Sequence, residues 1–251
     1  MSNQQTTNIY PQFYKDKVSL NVLTGSLENA AAICEAAEGN VLVGILSKNY
    51  KTDEEAIADM KKYSEVTGNR ISVGLGAGDP AQSKMVTRIS QFIQPQHVNQ
   101  VFTDVGATRA LLGQDSTFVN ALVSPSGREG FVIINTGAIS SNFEPAMVSV
   151  ETAIAMARDA GASSLKYFPM HGLDKLNEYK IVAQKCAEQH FYLEPTGGIT
   201  LENFEEIVEV ALNAGVQKVI PHVYSSIIDK ETNLTRIEDV EKLFNMIKKL
   251  L

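Results

Sequence analysis

Lys166 stands inside Ser164-Leu165-Lys166-Tyr167-Phe168-Pro169, a short apolar run closed by proline. A lysine in a buried strand is costly unless it is paired or neutral. Burial favours the neutral amine, and a neutral amine is a nucleophile that can form a Schiff base with a carbonyl substrate. Pro195-Thr196-Gly197-Gly198-Ile199 follows soon after. A Gly-Gly turn opening a helix is a phosphate cradle in form. Together the two stretches suggest carbonyl chemistry on a phosphorylated substrate. The competing reading of Lys166 alone is a strand-end lysine that extends its amine to solvent.

Such residues need a scaffold that gathers them. Eight short runs rich in β-branched residues read as strands buried on both faces: 18–23, 41–46, 71–75, 98–102, 118–123, 165–168, 191–194 and 217–221. Helical patterns fill the gaps. Ser26 caps an alanine-rich segment stopped by Gly39, and Thr52 with Glu55 forms a capping-box pair. Asp79-Pro80 is a cap followed by a helix-starting proline, and the apolar face of Phe204, Ile207, Val208 and Ala211 ends at Gly215. The βα alternation predicts an α/β protein, a (β/α)8 TIM barrel, as a single domain over 17–251 behind an N-terminal arm, 1–16. An open doubly wound sheet is the alternative, but no Gly-x-Gly-x-x-Gly follows the first strand. Residues 124–143 break the alternation, with Ser126-Gly127-Arg128-Glu129-Gly130 and an extra apolar run, 131–134. They read as a β-hairpin inserted after strand 5, on the catalytic face.

In such barrels chemistry gathers at the C-terminal ends of the strands. Lys166 lies late in the sixth predicted strand. Glu194 and Thr196 end the seventh and share one face by period two. His222 ends the eighth, Ser124 follows the fifth, Asp104 the fourth, and Ser47 with Lys48 the second.

The bulk numbers limit the partners. A net charge of −7 over 251 residues argues against nucleic acid or an anionic membrane, so a phosphate must be held locally. Cys34 and Cys186 share neither metal-like nor disulfide-like spacing and read as free thiols of a reducing, cytoplasmic protein. The first residues are polar, unlike a signal peptide, and no apolar run is long enough to span a membrane. His97, His171 and His190 have no carboxylate or cysteine at ligand spacing, so no metal site is expected.

The motifs resemble a family. Leu165-Lys166-Tyr167-Phe168-Pro169 is similar to the Lys-Phe-Phe-Pro strand of the class I 2-keto-3-deoxy-6-phosphogluconate (KDPG) and 4-hydroxy-2-oxoglutarate aldolases, and Pro195-Thr196-Gly197-Gly198-Ile199 to their Pro-Thr-Gly-Gly strand end. Val73-Gly74-Leu75-Gly76-Ala77-Gly78 resembles their Val-Gly-Ala-Gly third strand, and Val123-Ser124-Pro125 their Val-Ser-Pro segment. Outside these motifs the likeness is one of topology, and the longer chain resembles the divergent branch called KDGP aldolases. The resemblance implies that Lys166 attacks the keto carbon, that Thr196 faces the keto acid, and that the Gly197 and Gly198 amides hold phosphate. It implies no metal or organic cofactor, a small keto-acid sugar phosphate as partner, and a symmetric homo-oligomer.

The chain also departs from that family. The family's second strand carries a glutamate base and an arginine, where this chain reads Val41-Leu42-Val43-Gly44-Ile45-Leu46-Ser47-Lys48. Glu194 is the first candidate for the missing base and His222 the second; a salt-bridge partner and a structural histidine are their plain readings. Lys48 is the candidate for the missing arginine. Ile220-Pro221-His222-Val223-Tyr224-Ser225-Ser226 replaces the family's Gly-Ser phosphate turn, leaving Ser225 and Ser226 to serve the phosphate. The expected activity is cleavage of 2-dehydro-3-deoxy-6-phosphogluconate to pyruvate and glyceraldehyde 3-phosphate. The alternatives are 4-hydroxy-2-oxoglutarate cleavage to pyruvate and glyoxylate, or a phosphosugar isomerase or epimerase on the same barrel.

Overall fold

A computed structural model describes residues 10–251. Of the expected N-terminal arm, residues 1–9 therefore lie outside the described residues. From Tyr10 onward the arm packs down: Phe13 joins Leu42 and Ile220 in a small apolar cluster against Phe118.

The described residues form nine strands in one sheet and eight α-helices. Strands β1 (Leu20–Leu23), β2 (Val41–Leu46), β3 (Ile71–Gly74), β4 (His97–Val101) and β5 (Phe118–Pro125) pair in parallel, each with the next. Helices α1 (Leu27–Ala36), α2 (Asp53–Thr67), α3 (Ser83–Ile93) and α4 (Val105–Leu112) connect them. The Ser26 and Thr52 side chains cap α1 and α2 as the sequence predicts.

After β5 the chain turns back on itself. β6 (Phe131–Ile133) pairs antiparallel with the end of β5, and β7 (Met147–Ser149) antiparallel with β6, before α5 (Val150–Asp159). The parallel sheet resumes with β8 (Ser164–Tyr167) against β5, and β9 (Tyr192–Pro195) follows α6 (Leu176–Glu188). Helices α7 (Phe204–Ala214) and α8 (Ile237–Leu250) complete the outer layer. The core lies between strands and helices, where residues such as Val43, Val73, Leu165 and Leu193 meet Met60, Ile89 and Ile207 with no exposed surface.

The eighth predicted strand, 217–221, is the main difference from the sequence reading. It forms no regular strand, only single parallel bridges: Val219 to Val18 and Leu193, and His222 to Asn21 and Thr196. Pro221 supplies a carbonyl to Asn21 N but has no N–H of its own, so a continuous ladder cannot form there. The segment nevertheless touches both β1 and β9, the two ends of the parallel sheet.

Candidate active site

A cavity of about 410 Å3 opens at the C-terminal ends of the strands, with Lys48, Gly76, Asn99, Lys166, Thr196 and Tyr224 in its wall. Most of the predicted residues meet there: Gly197, Gly198, His222 and Ser225 also line it. Three do not. Ser124 lines a neighbouring cavity with Phe143 and Thr136. The Ser226 hydroxyl donates to the Ile199 carbonyl at 2.8 Å. Glu194 is fully buried beneath the floor.

Lys166 is 6% exposed, in the middle of β8. Its Nζ donates to Asn99 Oδ1 at 2.8 Å, a neutral acceptor. Burial pulls the amine down to about 8, although the Glu194 carboxylate nearby raises it. The amine is therefore partly neutral near physiological pH, and it faces open space.

Glu194 is a hub. Ser164 Oγ donates to its Oε1 at 2.5 Å, and Asn120 Nδ2 to its Oε2 at 2.6 Å. His97 Nε2 lies 3.1 Å from both oxygens, and His222 Nε2 2.9 Å from Oε2. Burial pushes this carboxyl up, but its interaction with His97 and the hydrogen bonds from His222 and His97 outweigh burial and hold it well below the usual range. His97, Glu194 and His222 present ligand atoms within 4.8 Å of one another, a spacing that could suit a metal. In the hydrogen-bonded arrangement the ionised carboxylate only accepts, so the two imidazole nitrogens facing it carry protons.

The network continues inward. Ser72 Oγ receives Asn21 Nδ2 at 3.0 Å and Asn99 Nδ2 at 2.9 Å, and lies 2.7 Å from His97 Nδ1. Two amide donors fill the lone pairs of that hydroxyl, so its own hydrogen goes to Nδ1, and His97 is the neutral Nε2–H tautomer. Burial, followed by the Lys166 charge, pulls His222 down to about 3, so it too is neutral.

The rim is suited to anions. Lys48 is exposed on a turn after β2, and its methylenes lie over Gly76, where a Cβ would sit 2.5 Å from Cδ. Gly76 has φ +88°, and Ala77 and Gly78 also take positive φ, so the loop presents backbone to the cavity. Gly197 (φ +101°) and Gly198 (φ +72°) do the same beyond β9. Among the described residues no carbonyl accepts the Gly197 or Gly198 N–H. A Cβ on Gly198 would overlap Gly172 N, so that glycine is also needed for loop packing.

The sequence reading missed Asn21, Ser72, Asn99, Asn120 and Tyr224, and gave His97 no partner. His97 and Glu194 are far apart in sequence and meet only across the sheet's inner face. A signal was present in polar residues at spacing two in or at the ends of apolar strands: His97/Asn99, Ser164/Lys166 and Glu194/Thr196. That spacing puts each pair on one face of its strand.

A curled parallel α/β sheet with a buried lysine in the floor of its mouth defines the class, a barrel-like α/β protein. The chain belongs to the KDGP aldolase family, whose model matches residues 14–231. It is 47% identical over 244 residues to a 2-dehydro-3-deoxy-phosphogluconate aldolase of Salmonella typhimurium (strain 14028s / SGSC 2262), covering 95% of this chain and 98% of that protein. Among solved structures it resembles one described as "Native KDPGal structure", with TM-score 0.55 and 14% identity, covering 93% of this chain and 95% of that one. It also resembles TrpF from Jonesia denitrificans, with TM-score 0.53 and 12% identity, covering 93% of this chain and 98% of that one. At such identities the structural likenesses concern the fold. No helix among the described residues is long and apolar enough to cross a membrane.

Proposed function

We propose that this chain is a class I aldolase that cleaves 2-dehydro-3-deoxy-6-phosphogluconate to pyruvate and glyceraldehyde 3-phosphate. One observation carries the reading: a buried, cavity-lining lysine held by a neutral amide oxygen rather than a carboxylate. The family and the Salmonella relative's name support the substrate.

In this reading the neutral Lys166 amine adds to the C2 keto carbon, water leaves, and an iminium remains. The C4 hydroxyl loses its proton, the C3–C4 bond breaks, and its electron pair flows to the iminium nitrogen as the aldehyde departs. The enamine takes a proton at C3, and water hydrolyses the imine to free pyruvate and Lys166. Lys48 and the 76–78 loop take the carboxylate, Thr196 faces the keto acid, and Gly197, Gly198 and Ser225 take the phosphate. Glu194 and His222 supply the acid–base function, Glu194 from beneath the floor. Ser124 and Ser226 have no part, and the chemistry asks for no metal or organic cofactor. The scaffold is read as a closed (β/α)8 barrel with an antiparallel insertion after its fifth strand, supported by the bridges of His222 and Val219 to both sheet ends. A single domain from residue 17, behind the arm, acting as a cytoplasmic homo-oligomer, completes the reading; exposed Ile139, Phe143 and Phe92 are apolar surface for self-association.

The test is borohydride reduction in the presence of pyruvate. The protein should gain the mass of a reduced pyruvyl adduct on the peptide containing Lys166. An unmodified protein, or an adduct on Lys48, overturns the assignment.

A further inference from the structure

His222 lines the cavity, yet both of its nitrogens are engaged inside the protein. Nε2 faces Glu194 Oε2 at 2.9 Å, and Nδ1 faces the Tyr224 hydroxyl at 3.0 Å. The side chain is fully buried. Tyr224 is half-buried and lines the cavity. Its hydroxyl has a second neighbour, Asn21 Oδ1, also at 3.0 Å.

We propose that Tyr224 is the residue that exchanges protons with the substrate, with His222 as its proton store and Glu194 as the group that fixes the imidazole. The proposal rests on the aldolase reading and names the group through which His222 and Glu194 reach the substrate. The proton count carries it. Glu194 only accepts, so His222 holds a proton on Nε2 and turns the Nδ1 lone pair to Tyr224. In that state the phenol hydrogen points to Nδ1. Asn21 cannot turn its amide, because its Nδ2 is committed to Ser72 Oγ, which in turn donates to His97 Nδ1. Asn21 Oδ1 therefore stays as a second acceptor facing the same phenol. One hydroxyl hydrogen thus has two acceptors, and the two placements correspond to the two states of a relay. The arrangement follows the logic of a catalytic triad, in which a carboxylate fixes the tautomer and an imidazole serves a hydroxyl.

The step balances. The substrate C4 hydroxyl proton passes to Tyr224 Oη while the phenol proton passes to His222 Nδ1. The C3–C4 bond breaks and its electrons neutralise the iminium on Lys166. His222 Nδ1–H then donates to Tyr224 Oη, whose new hydrogen turns to Asn21 Oδ1. Reversal of the two transfers delivers a proton to the enamine C3 and restores the resting state.

Timing follows from electrostatics. The titratable groups facing His222 are Lys166 from β8, Glu194 from β9, His97 from β4 and Tyr224 from its own segment. The Lys166 charge is one of the causes that keep His222 unprotonated. Bond cleavage removes that charge from the lysine nitrogen as the proton reaches the imidazole, so the positive charge moves from one side of Glu194 to the other.

The experiment separates this relay from imine formation. In heavy water, the wild-type protein should exchange the methyl hydrogens of pyruvate for deuterium and also be trapped on Lys166 by borohydride. Tyr224→Phe should still be trapped but lose exchange and cleavage by ~10²–10⁴-fold. Replacing Tyr224 by a fluorotyrosine, which keeps shape and hydroxyl but makes the phenol oxygen a weaker proton acceptor, should slow exchange and cleavage while leaving trapping unchanged. Wild-type exchange in Tyr224→Phe, or an unchanged exchange rate in the fluorotyrosine protein, overturns the relay. Failure to trap the wild-type protein overturns the aldolase reading, and the relay falls with it.

Discussion

Lys166 and Glu194 are register partners on β8 and β9, yet each head group is held by a different partner. The ammonium rests on Asn99 Oδ1, and the carboxylate takes Ser164, Asn120 and the two histidines. Asn120 Nδ2 stands between them, donating to Asn99 Oδ1 at 3.0 Å and to Glu194 Oε2 at 2.6 Å. Direct pairing would keep the lysine charged. An amide spacer leaves the carboxylate near enough to act electrostatically but does not lock the proton on the amine.

The first prediction is a pH limb. The attacking form is the neutral amine, and burial with the opposing pull of Glu194 sets its pKa at about 8. The initial rate of pyruvate trapping should fall about tenfold per pH unit below that point and level above it. A limb near the ordinary lysine value, about 10.4, would mean that the amine is not desolvated.

Asn99→Asp puts a carboxylate where the neutral acceptor stands. It should raise the Lys166 pKa, move the acid limb to higher pH and lower kcat/KM at pH 7 by roughly tenfold or more. Unlike a simple loss of folded protein, this defect should be recovered by raising the pH.

Glu194→Gln places an NH2 among four donors. Breaking a buried charged hub in this way costs about 3–5 kcal/mol, read as a lower urea midpoint. Cleavage should slow ~10²–10⁴-fold while trapping on Lys166 persists. Cleavage at the wild-type rate would remove Glu194 from the chemistry.

Gly76→Ala tests the anion rim. The added methyl would lie 2.5 Å from Lys48 Cδ at a backbone φ of +88°, so the lysine must leave its place. KM should rise several-fold, with kcat less affected, and Lys48→Met should reproduce the effect. The double variant should be no worse than Lys48→Met alone, since both act on one contact.

Lys166→Met should stabilise the protein at pH 7. The unfolded lysine binds its proton up to about pH 10.4, and the folded one only up to about 8. Between those values the unfolded state holds more protons, so stability rises with pH there, and below about 8 the lysine costs of the order of 3 kcal/mol. The gain from Lys166→Met should therefore be greatest below pH 8 and fade by about pH 10.4, as thermal melts at the two pH values will show. Acid should act through His222 as well. Its pKa falls from about 6.5 unfolded to about 3 folded, so the stability it contributes above pH 6.5 is lost as the pH drops toward 3.

Much of this was legible in the sequence, for physical reasons. Buried parallel strands write themselves as β-branched runs, so β2, for example, begins and ends where the run 41–46 predicts. Lys166 could be picked out because a charge inside such a run is anomalous. Asn120 and Ser72 could not, and Asn99 only through its spacing from His97, because a neutral polar residue in a strand carries less cost than a charge, and its partners lie on other strands. The irregular 217–223 segment escaped for the opposite reason: its apolar pattern is that of a strand, and only Pro221 signals the interrupted ladder.

The bridges of His222 to Asn21 and Thr196 have a consequence for how the enzyme comes into being. Asn21 belongs to β1, and His222 follows some two hundred residues later, so their contact is among the longest-range between described residues. Loop closure over that span comes late, after neighbouring βα units have paired. Tyr224 gains its second acceptor, Asn21 Oδ1, only with that contact. Partly synthesised or partly folded chains would display Lys166 without the completed relay. Catalytic competence would then arrive in one event with the completed fold, making turnover a direct reporter of the native population during synthesis and refolding.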